Sequence, residues 1–444
     1  MGEERARPVD RPALRPPRGV QEIAARLERE GFETWCVGGA IRDALLGIPN
    51  LDWDLATAAT PQQVRALFRR TVPKGIEFGT VAVFDSSGAL HEVTTFRRDV
   101  RTDGRHAEVE FGASLDDDLA RRDFTINAIA YSPSRDRLHD PFDGRGDLER
   151  GLVRAVGEPA ARMREDRLRA LRAIRFAARF GFEIEPVTWA AIVDSGPHLG
   201  RLSAERVREE LEKTMRQAAR PSAALRRWRE SGALATLVPA LASVTDVALG
   251  TVDCLPPPSL ERRPMRLTLR LAAPWLGAPR EEVDRAMRAL RFPNQQIRLV
   301  ADLADRWLRL ADRIRAALLS MEPPPDAELR RWARVTGRLL LAPLLRLAAA
   351  RFAVERETGG EAPPAERVRA VYRRAVRVAY RDPIEIGDLA VDGNDLVDAG
   401  IAPGPEVGRI LSLLLEVVVE DPAENLPDRL IARALAARGD GPRA

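Results

Sequence analysis

Segments with the pattern of β-strands are confined to the first part of this 444-residue chain, and almost everything beyond Glu158 has the pattern of helices. Before that residue, strand-like runs such as "ETWCVGG", "LDWDLAT" and "GTVAVFDSSGALHEVTTF" alternate irregularly with amphipathic helices. Irregular alternation of this kind is typical of an α+β domain. We therefore predict a small α+β head domain with a mixed sheet, followed by an all-helical region.

Changes in composition divide the chain further. The Pro- and Arg-rich residues 1–19 predict a disordered arm, and the head should span residues 20–157. Beyond the head we expect a helical neck over residues 158–220, a helical body over residues 221–360 and a helical tail over residues 361–444. Pro-rich breaks, among them "MEPPPDAE" and "GGEAPPAE", are candidate linkers between the helices.

Charge and cysteine content narrow the class of protein. The formal net charge of +4 permits a polyanionic partner without demanding one. Cys36 and Cys254 are the only cysteines, and their separation fits neither a disulfide framework nor a zinc site, which indicates a reducing compartment. No apolar run reaches the roughly 18 residues of a membrane span, and residues 1–19 lack the apolar core of a secretory signal. We expect a cytoplasmic protein without a membrane partner.

The segment "NLDWDLAT" places two acidic residues in a strand-like run, where acidic residues are unusual. Because side chains alternate along a strand, Asp52 and Asp54 should point the same way, with Trp53 opposite. Two such carboxylates repel each other unless a cation lies between them, and Mg²⁺ prefers oxygen ligands. The pair is a candidate magnesium site, with Glu92 as a candidate third carboxylate. Taken alone, the pattern fits two solvated acids on an edge strand more often than a metal site.

The segment "VGGAIRD" lies just upstream of this pair. Gly38 and Gly39, between a strand and a helix, would let the backbone approach a phosphate, and the helix start would add unpaired N–H groups. Arg42 in the first turn would add a guanidinium suited to phosphate. An ordinary tight turn is the alternative. A phosphate cradle together with a metal pair predicts nucleotidyl transfer, in which the metal bridges a triphosphate and activates an incoming hydroxyl.

The segment "CVGGAIRDALLGIPNLDWDLAT" resembles the signature of the class II tRNA nucleotidyltransferases, the CCA-adding enzymes and their poly(A) polymerase relatives. The segments "RRDFTINAIAY", "DPFDGRGDLERGLVRAVG", "EDRLRALRAIRF" and "DLAVDGNDLVDAGIAPGPEVGRIL" resemble further motifs of that family, in its order. The resemblance covers about residues 20–215 and 384–435. It implies a nucleotidyltransferase head and two-metal transfer onto the 3′ end of tRNA, with Mg²⁺ as cofactor. It also implies Asp52 and Asp54 as catalytic metal ligands, with Glu92 less firmly so.

The motif "RRDFTINA" supplies one set of expected nucleotide contacts. Arg121 and Arg122 should open a helix, on which Asp123 and Asn127 are four apart and share a face. A charged first turn with a buried Asn is the alternative. Given the family resemblance, Arg122, Asp123 and Asn127 are expected to bind the ribose and triphosphate.

The motif "EDRLRALR" supplies the expected base contacts. Asp166, Arg169 and Arg172 are three apart, on what we predict to be one long helix from Glu158, and solvated ion pairs are the alternative. A carboxylate only accepts hydrogen bonds and a guanidinium only donates them. Cytosine and adenine each present an amino donor beside a ring-nitrogen acceptor, which an Asp166–Arg169 pair would complement. Uracil and guanine present the reverse and would be rejected.

Two glycine-containing segments bear on the acceptor and on the extent of addition. The polar segment Arg97–Phe111 has the pattern of a mobile loop, and in the family a loop here helps the site change from cytosine to adenine selection. Its presence favours full CCA addition or addition of A alone.

The tail segment "GIAPGPEVG" has two equally weighted interpretations. Its N–H groups at Gly400, Gly404 and Gly408 would contact phosphates, or the segment is simply a tight turn between two helices.

The resemblance implies a tRNA 3′ end, CTP and ATP as partners, and no DNA. The alternatives are an enzyme that adds only A and a poly(A) polymerase. Transfer of a nucleotide to a protein or small molecule, and RNA binding on an inactive scaffold, are further alternatives. Monomer and homodimer both remain open.

Overall fold

The computed structural model describes residues 14–50, 52–102, 107–258 and 264–437. The chain divides into two compact units: Met1–Glu210 with Arg227–Leu237, and Leu211–Arg226 with Val238–Ala444. Of the predicted disordered arm, residues 1–13 lie outside the described part, and the first helix already begins at Arg18.

The first unit contains all the strands of the described residues, together with the helices that surround them in sequence. In chain order its elements are α1 Arg18–Arg29, β1 Thr34–Val37, α2 Gly39–Leu45, β2 Asp54–Thr57, α3 Pro61–Leu67, β3 Thr71–Pro73, β4 Thr80–Phe84, β5 Leu90–Thr95, β6 Arg97–Thr102, β7 Ala107–Phe111, α4 Leu115–Ala120, β8 Ala130–Ser132, β9 Arg137–His139, α5 Gly144–Arg150, β10 Leu152–Val153, α6 Pro159–Glu165, α7 Leu168–Phe180, β11 Glu183–Ile184 and α8 Pro186–Ser195. Next come α9 Ala204–Gln217, α10 Pro221–Glu230 and α11 Ala233–Leu237, of which α9 and α10 cross the unit boundaries.

Seven strands of the described residues form one mixed sheet in the order β3-β4-β5-β2-β1-β8-β9. Strand β1 is antiparallel to β2, and β2 is parallel to β5. In the β1–β2 register Val37 lies opposite Asp54, which brings the start of β2 beside the glycine turn that follows β1. One face of the sheet packs on a buried cluster that includes Trp35, Val37 and Phe96. Burying these apolar side chains fixes the register, because a slip by one residue would turn them outward.

The strand-like run "GTVAVFDSSGALHEVTTF" forms β4 and β5, which pair as an antiparallel hairpin. The predicted loop over Arg97–Phe111 is wrong for the described residues, because β6 and β7 pair as a two-stranded antiparallel ribbon with Arg97 opposite Phe111. Residues 103–106 lie outside the described part. Backbone hydrogen bonds hold such a ribbon without an apolar core, so a polar sequence did not exclude it.

The single long helix predicted from Glu158 is also wrong. Helix α6 ends at Glu165, and Asp166 has an extended backbone with φ −146° and ψ 103°. The Asp166 carboxylate accepts a hydrogen bond from the Leu168 N–H at 3.0 Å, at the start of α7. Since Asp side chains satisfy unpaired N–H groups at helix starts, Asp166 favours the break over a continuous helix.

The second unit is helical throughout its described residues. Its further helices are α12 Asp246–Gly250, α13 Pro264–Ala272, α14 Arg280–Ala289, α15 Asn294–Leu319, α16 Asp326–Thr336, α17 Arg338–Glu357, α18 Ala365–Arg381, α19 Gly393–Asp398, α20 Pro405–Glu420 and α21 Pro427–Ala437. The predicted helix, glycine turn and helix of the tail correspond to α19 and α20, with left-handed backbone at Gly400 and φ 135° at Gly404. The predicted α+β fold class with a helical remainder is confirmed. Across the described ranges, no helix combines the length and apolar character needed to cross a membrane.

Candidate active site

A cavity of about 440 Å³ in the first unit brings together every residue that the sequence predicted to bind nucleotide. Its volume lies in the usual range of small-molecule sites. The lining consists of Gly38, Gly39, Arg42, Asp54, Arg121, Arg122, Asp123, Asn127, Asp166, Arg169, Arg172 and Phe176. Asp52 and Glu92 do not line it. Phe176 was missed by the sequence analysis, although it follows Arg172 by one helical turn in the same motif.

The glycine turn after β1 needs glycine for two reasons. Gly38 has φ 80° and ψ −140°, a backbone conformation that other residues rarely adopt. A Cβ atom at Gly38 would also lie 3.1 Å from Nη1 of Arg122, which forms the wall of the cavity. The turn therefore leaves room for the Arg122 guanidinium beside the backbone.

Arg122 has an unused donor at this wall. Its Nη2 donates to Asp118 at 3.0 Å, and its Nη1 reaches the Asn127 carbonyl at 3.5 Å. Its buried Nε atom has no hydrogen-bond partner among the described residues. A buried donor without a partner costs free energy, so the contacts within the protein leave this guanidinium incompletely satisfied.

Arg42, expected to contact phosphate, is instead engaged inside the protein. Its Nε and Nη2 donate to Asp43 at 2.8 and 2.6 Å, and its Nη1 donates to the side chain of Asn127. The guanidinium also lies 4.9 Å from the ring centres of Phe176 and Phe180. Burial lowers the pKa of Arg42, although Asp43 opposes that shift. These contacts support a role in holding Asn127 and Phe176 at the cavity wall.

Asp123, Asn127 and Arg172 form a connected group. The Asn127 amide donates to Asp123 Oδ1 at 2.9 Å, and Arg172 donates through Nε to Asp123 Oδ2 at 2.8 Å. Burial alone would raise the pKa of Asp123, but Arg172 and Asn127 hold it below its ordinary value. The predicted helix opened by Arg121 and Arg122 is wrong: these residues follow the end of α4, and Asn127 ends a short 3₁₀ turn. Asp123 and Asn127 nevertheless meet, as their spacing predicted.

Of the two aspartates of "NLDWDLAT", only Asp54 lines this cavity and only Asp54 belongs to a strand. Strand β2 begins at Asp54, so Asp52 and Trp53 precede it. Trp53 is buried, Asp54 is half-buried and Asp52 is exposed. Burial, together with the charges of Asp52 and Glu92, raises the pKa of Asp54 to about 7, although the charges of Arg122 and Lys74 oppose that shift. The three carboxylates are thus within electrostatic reach of one another.

Glu92 does not join the pair as a third ligand in this conformation. Its carboxylate forms an ion pair with Lys74, and no group of three His, Cys, Asp or Glu side chains in the described ranges is arranged to hold a metal ion. Lys74, one of only two lysines in the chain, was not predicted to contact Glu92. The carboxylates of Asp52 and Asp54 still supply the oxygen ligands that a divalent cation prefers. Such a cation would also stabilise the charged form of Asp54, which its surroundings disfavour.

The residues predicted to read the base lie on the break between α6 and α7 and on α7 itself. The expected Asp166–Arg169 ion pair is not formed. Asp166 Oδ2 instead accepts from Nη2 of Arg206 at 2.7 Å, and Arg169 pairs with Glu165 at 2.8 Å. Arg169 also donates to the backbone carbonyl of Arg121 at 3.0 Å. The carboxylate and the guanidinium therefore line one cavity while each is held by a separate partner. Arg206 lies 40 residues beyond Asp166, and no local pattern pointed to it.

Comparison with known proteins agrees with these features. Residues 34–154 match the family "Poly A polymerase head domain", and residues 181–245 match "Probable RNA and SrmB- binding site of polymerase A". The chain is 34% identical to the CCA-adding enzyme of Limosilactobacillus fermentum, over 91% of this chain and 93% of that protein. It is 36% identical to the CCA-adding enzyme of Geobacillus thermodenitrificans, over 92% and 94%. The crystal structure of the Bacillus stearothermophilus CCA-adding enzyme in complex with CTP aligns with a TM-score of 0.72, at 33% identity, covering 95% of this chain and 97% of that one.

Proposed function

The chain belongs to the family of the CCA-adding enzymes, and from that premise we propose that the cavity in its first unit is the site of nucleotidyl transfer. The enzyme adds or repairs the 3′-terminal CCA of tRNA without a nucleic-acid template, using CTP and ATP and releasing diphosphate. The observation that carries the assignment of the site is the meeting of all the predicted nucleotide-binding residues in one cavity.

The glycine turn and Arg122 are proposed to receive the triphosphate. Gly38 brings the backbone close to the Arg122 guanidinium, and this guanidinium at the cavity wall supplies positive charge for the phosphate oxygens. Arg121 lies in the same wall, with its Nε and Nη2 held by Asp118 at 3.0 and 2.8 Å. Positive charge at this end of the cavity favours the polyphosphate over the base.

Asp52 and Asp54 are proposed to hold the divalent cation of the reaction, for which Mg²⁺ is the expected ion. When held by these two carboxylates, the ion would supply positive charge that stabilises the negative charge developing during nucleotidyl transfer. The chain itself supplies the carboxylates, and the charges of Arg122 and Lys74 favour the charged form of Asp54. Glu92, paired with Lys74, is a candidate for a further ligand or for a residue that approaches when substrates bind.

Asp166 and Arg169 are proposed to choose the base. Each Asp166 oxygen already accepts one hydrogen bond, from Leu168 or Arg206, and retains a second lone pair for an amino group. Arg169 uses three of its five N–H donors on Glu165, Arg162 and Arg121, which leaves two for a ring nitrogen. Cytosine and adenine complement this pair, while uracil and guanine would leave its polar groups unpaired.

The remainder of the chain is proposed to serve the tRNA. We assign the nucleotidyltransferase head to residues 20–157, the neck with the base-reading helix to 158–220, the body to 221–360 and the tail to 361–444. The glycine turn between α19 and α20 is a candidate contact for tRNA phosphates. A cytoplasmic location is part of this proposal, since tRNA maturation is its task.

Acceptor choice tests the proposed function. We expect the purified protein with Mg²⁺, CTP and ATP to extend tRNA lacking CCA by three nucleotides, and to leave an unrelated RNA of equal length unextended. Product lengths on a sequencing gel provide the measurement, and tRNA that already ends in CCA is the control. Long A tracts on the unrelated RNA would instead identify a poly(A) polymerase, and extension only of tRNA ending in CC would identify an enzyme that adds A alone.

A further inference from the structure

Asn50, the first residue of "NLDWDLAT", does not line the cavity, but its side chain forms hydrogen bonds with both Asp52 and Asp43. Its Oδ1 accepts from the backbone N–H of Asp52 at 2.9 Å, and its Nδ2 donates to Asp43 Oδ2 at 3.1 Å. Its backbone carbonyl accepts from Nε1 of Trp53 at 3.0 Å. Only an amide of this length supplies both an acceptor for the loop and a donor for Asp43.

Asp43 is a buried anchor rather than a cavity residue. Its side chain is 4% exposed, and each of its oxygens accepts two hydrogen bonds. Oδ1 accepts from Arg42, and Oδ2 accepts from Asn50 and from Nη2 of Arg179 at 3.0 Å. A buried carboxylate is stable only when it is paired and fully bonded, so the position of Asp43 is strongly determined. Asn50 is thereby tied to a fixed point.

Two connections lead from Asp43 to helix α7, which carries the base-reading residues. One is Arg179 in the last turn of that helix. The other passes through Arg42 to Asn127, then to Asp123 and finally to Arg172. The loop that carries Asp52 and the helix that carries Arg169 therefore belong to one hydrogen-bonded network.

We propose that Asn50 is a positioning residue that sets the place of the Asp52 carboxylate for the divalent cation, with Asp43 as its anchor. Asp52 precedes β2 and so has no strand pairing to hold it; Asn50 supplies that constraint through the Asp52 N–H. This inference rests on the proposed function of the cavity. Residues that orient metal ligands typically change metal affinity by about 10- to 100-fold when replaced.

Binding of Mg²⁺ without nucleotide tests the role of Asn50 directly. We expect Asn50→Ala to raise the Mg²⁺ concentration that gives half of the maximal rise in melting temperature by about 10-fold. Asn50→Ser keeps a hydroxyl that can accept from the Asp52 N–H, and should give a smaller shift. Asn394→Ala, at an exposed Asn of α19 outside the cavity, is the matched control and should leave the Mg²⁺ midpoint unchanged. In CCA addition, most of the turnover that Asn50→Ala loses should return at saturating Mg²⁺.

Two results would overturn the inference. One is an unchanged Mg²⁺ midpoint in both Asn50 variants. The other is a loss of turnover in Asn50→Ser that saturating Mg²⁺ does not restore, which would assign Asn50 to the fold alone. A wild-type protein that neither responds to Mg²⁺ nor extends tRNA would contradict the proposed function itself. If the wild type responds to Mg²⁺ and extends tRNA, and Asn50→Ala has the same Mg²⁺ midpoint, only the inference about Asn50 is contradicted.

Discussion

Replacing Asp54 with asparagine should reduce nucleotide incorporation by at least about 1,000-fold and, at the same time, raise the melting temperature of the metal-free protein at pH 8. The loss is expected because the amide cannot hold the divalent cation as a carboxylate does. The gain is expected because the wild-type Asp54 carries a charge that burial and the neighbouring Asp52 and Glu92 disfavour. Incorporation of labelled CTP into tRNA and thermal unfolding in chelator provide the two measurements.

The gain in stability should depend on pH in a defined direction. The Asp54 carboxyl has a pKa of about 7 in the folded protein, whereas in the unfolded chain its pKa returns to the ordinary value of 3.8. The stability due to that proton is thus complete below pH 4 and is lost as the pH rises to about 7. Asparagine removes this loss, so the variant should exceed the wild type by about 2 kcal/mol at pH 8 and match it near pH 4.

Asp312→Asn is the control for Asp54→Asn, because Asp312 is an exposed acid on helix α15 of the second unit and does not line the cavity. It should alter neither incorporation nor the pH dependence of unfolding. Added Mg²⁺ should stabilise the wild type and the control but not Asp54→Asn. Normal incorporation by Asp54→Asn would remove Asp54 from the metal site.

Replacing Arg169 with alanine should relax the choice of base while sparing part of the turnover. In the proposed site the guanidinium would donate to the ring nitrogen of cytosine or adenine, so its loss should weaken the binding of CTP and ATP and remove a mismatch with UTP. We expect the ratio of kcat/KM for CTP over UTP to fall by about 10- to 100-fold. Single-nucleotide incorporation with each of the four triphosphates, on tRNA lacking CCA, measures this ratio.

Arg164→Ala is the control for the base-reading prediction. Arg164 lies on the adjacent helix α6, with an exposed side chain outside the cavity, and its replacement should leave the ratio unchanged. Arg169 also holds the Arg121 carbonyl, so a purely structural effect is the competing explanation. That effect would reduce incorporation of all four nucleotides equally, and such a result would reject the base-reading role.

The sequence predicted which residues meet more reliably than it predicted the elements that carry them. Asp123 and Asn127 contact each other as their spacing suggested, but on a 3₁₀ turn after α4 rather than on a helix they open. Asp52 and Asp54 stay close although only Asp54 belongs to a strand. The types of side chain at the site follow from the chemistry of the ligand and can be found in the sequence. The residue at which each helix or strand begins depends on local hydrogen bonds, which the sequence pattern does not show.

Partners distant in sequence account for most of what the sequence could not show. The predicted Asp166–Arg169 pair follows from their spacing, but Arg206 and Glu165 hold the two side chains instead. Lys74 and Glu92 likewise pair across strands β3 to β5 and carry no local signal. Periodicity reports which face of an element is buried; it does not report which of several arginines reaches a given carboxylate.

Stepwise addition with one nucleotide at a time tests the central claim most directly, namely that this cavity alone chooses the bases of the CCA end. The substrate is tRNA ending at the position before CCA, and each triphosphate is supplied singly and then in sequence with Mg²⁺. We predict two additions from CTP alone, one further addition when ATP follows, and none from UTP or GTP. Equal incorporation of all four nucleotides, or continued addition beyond the third position, would contradict the account.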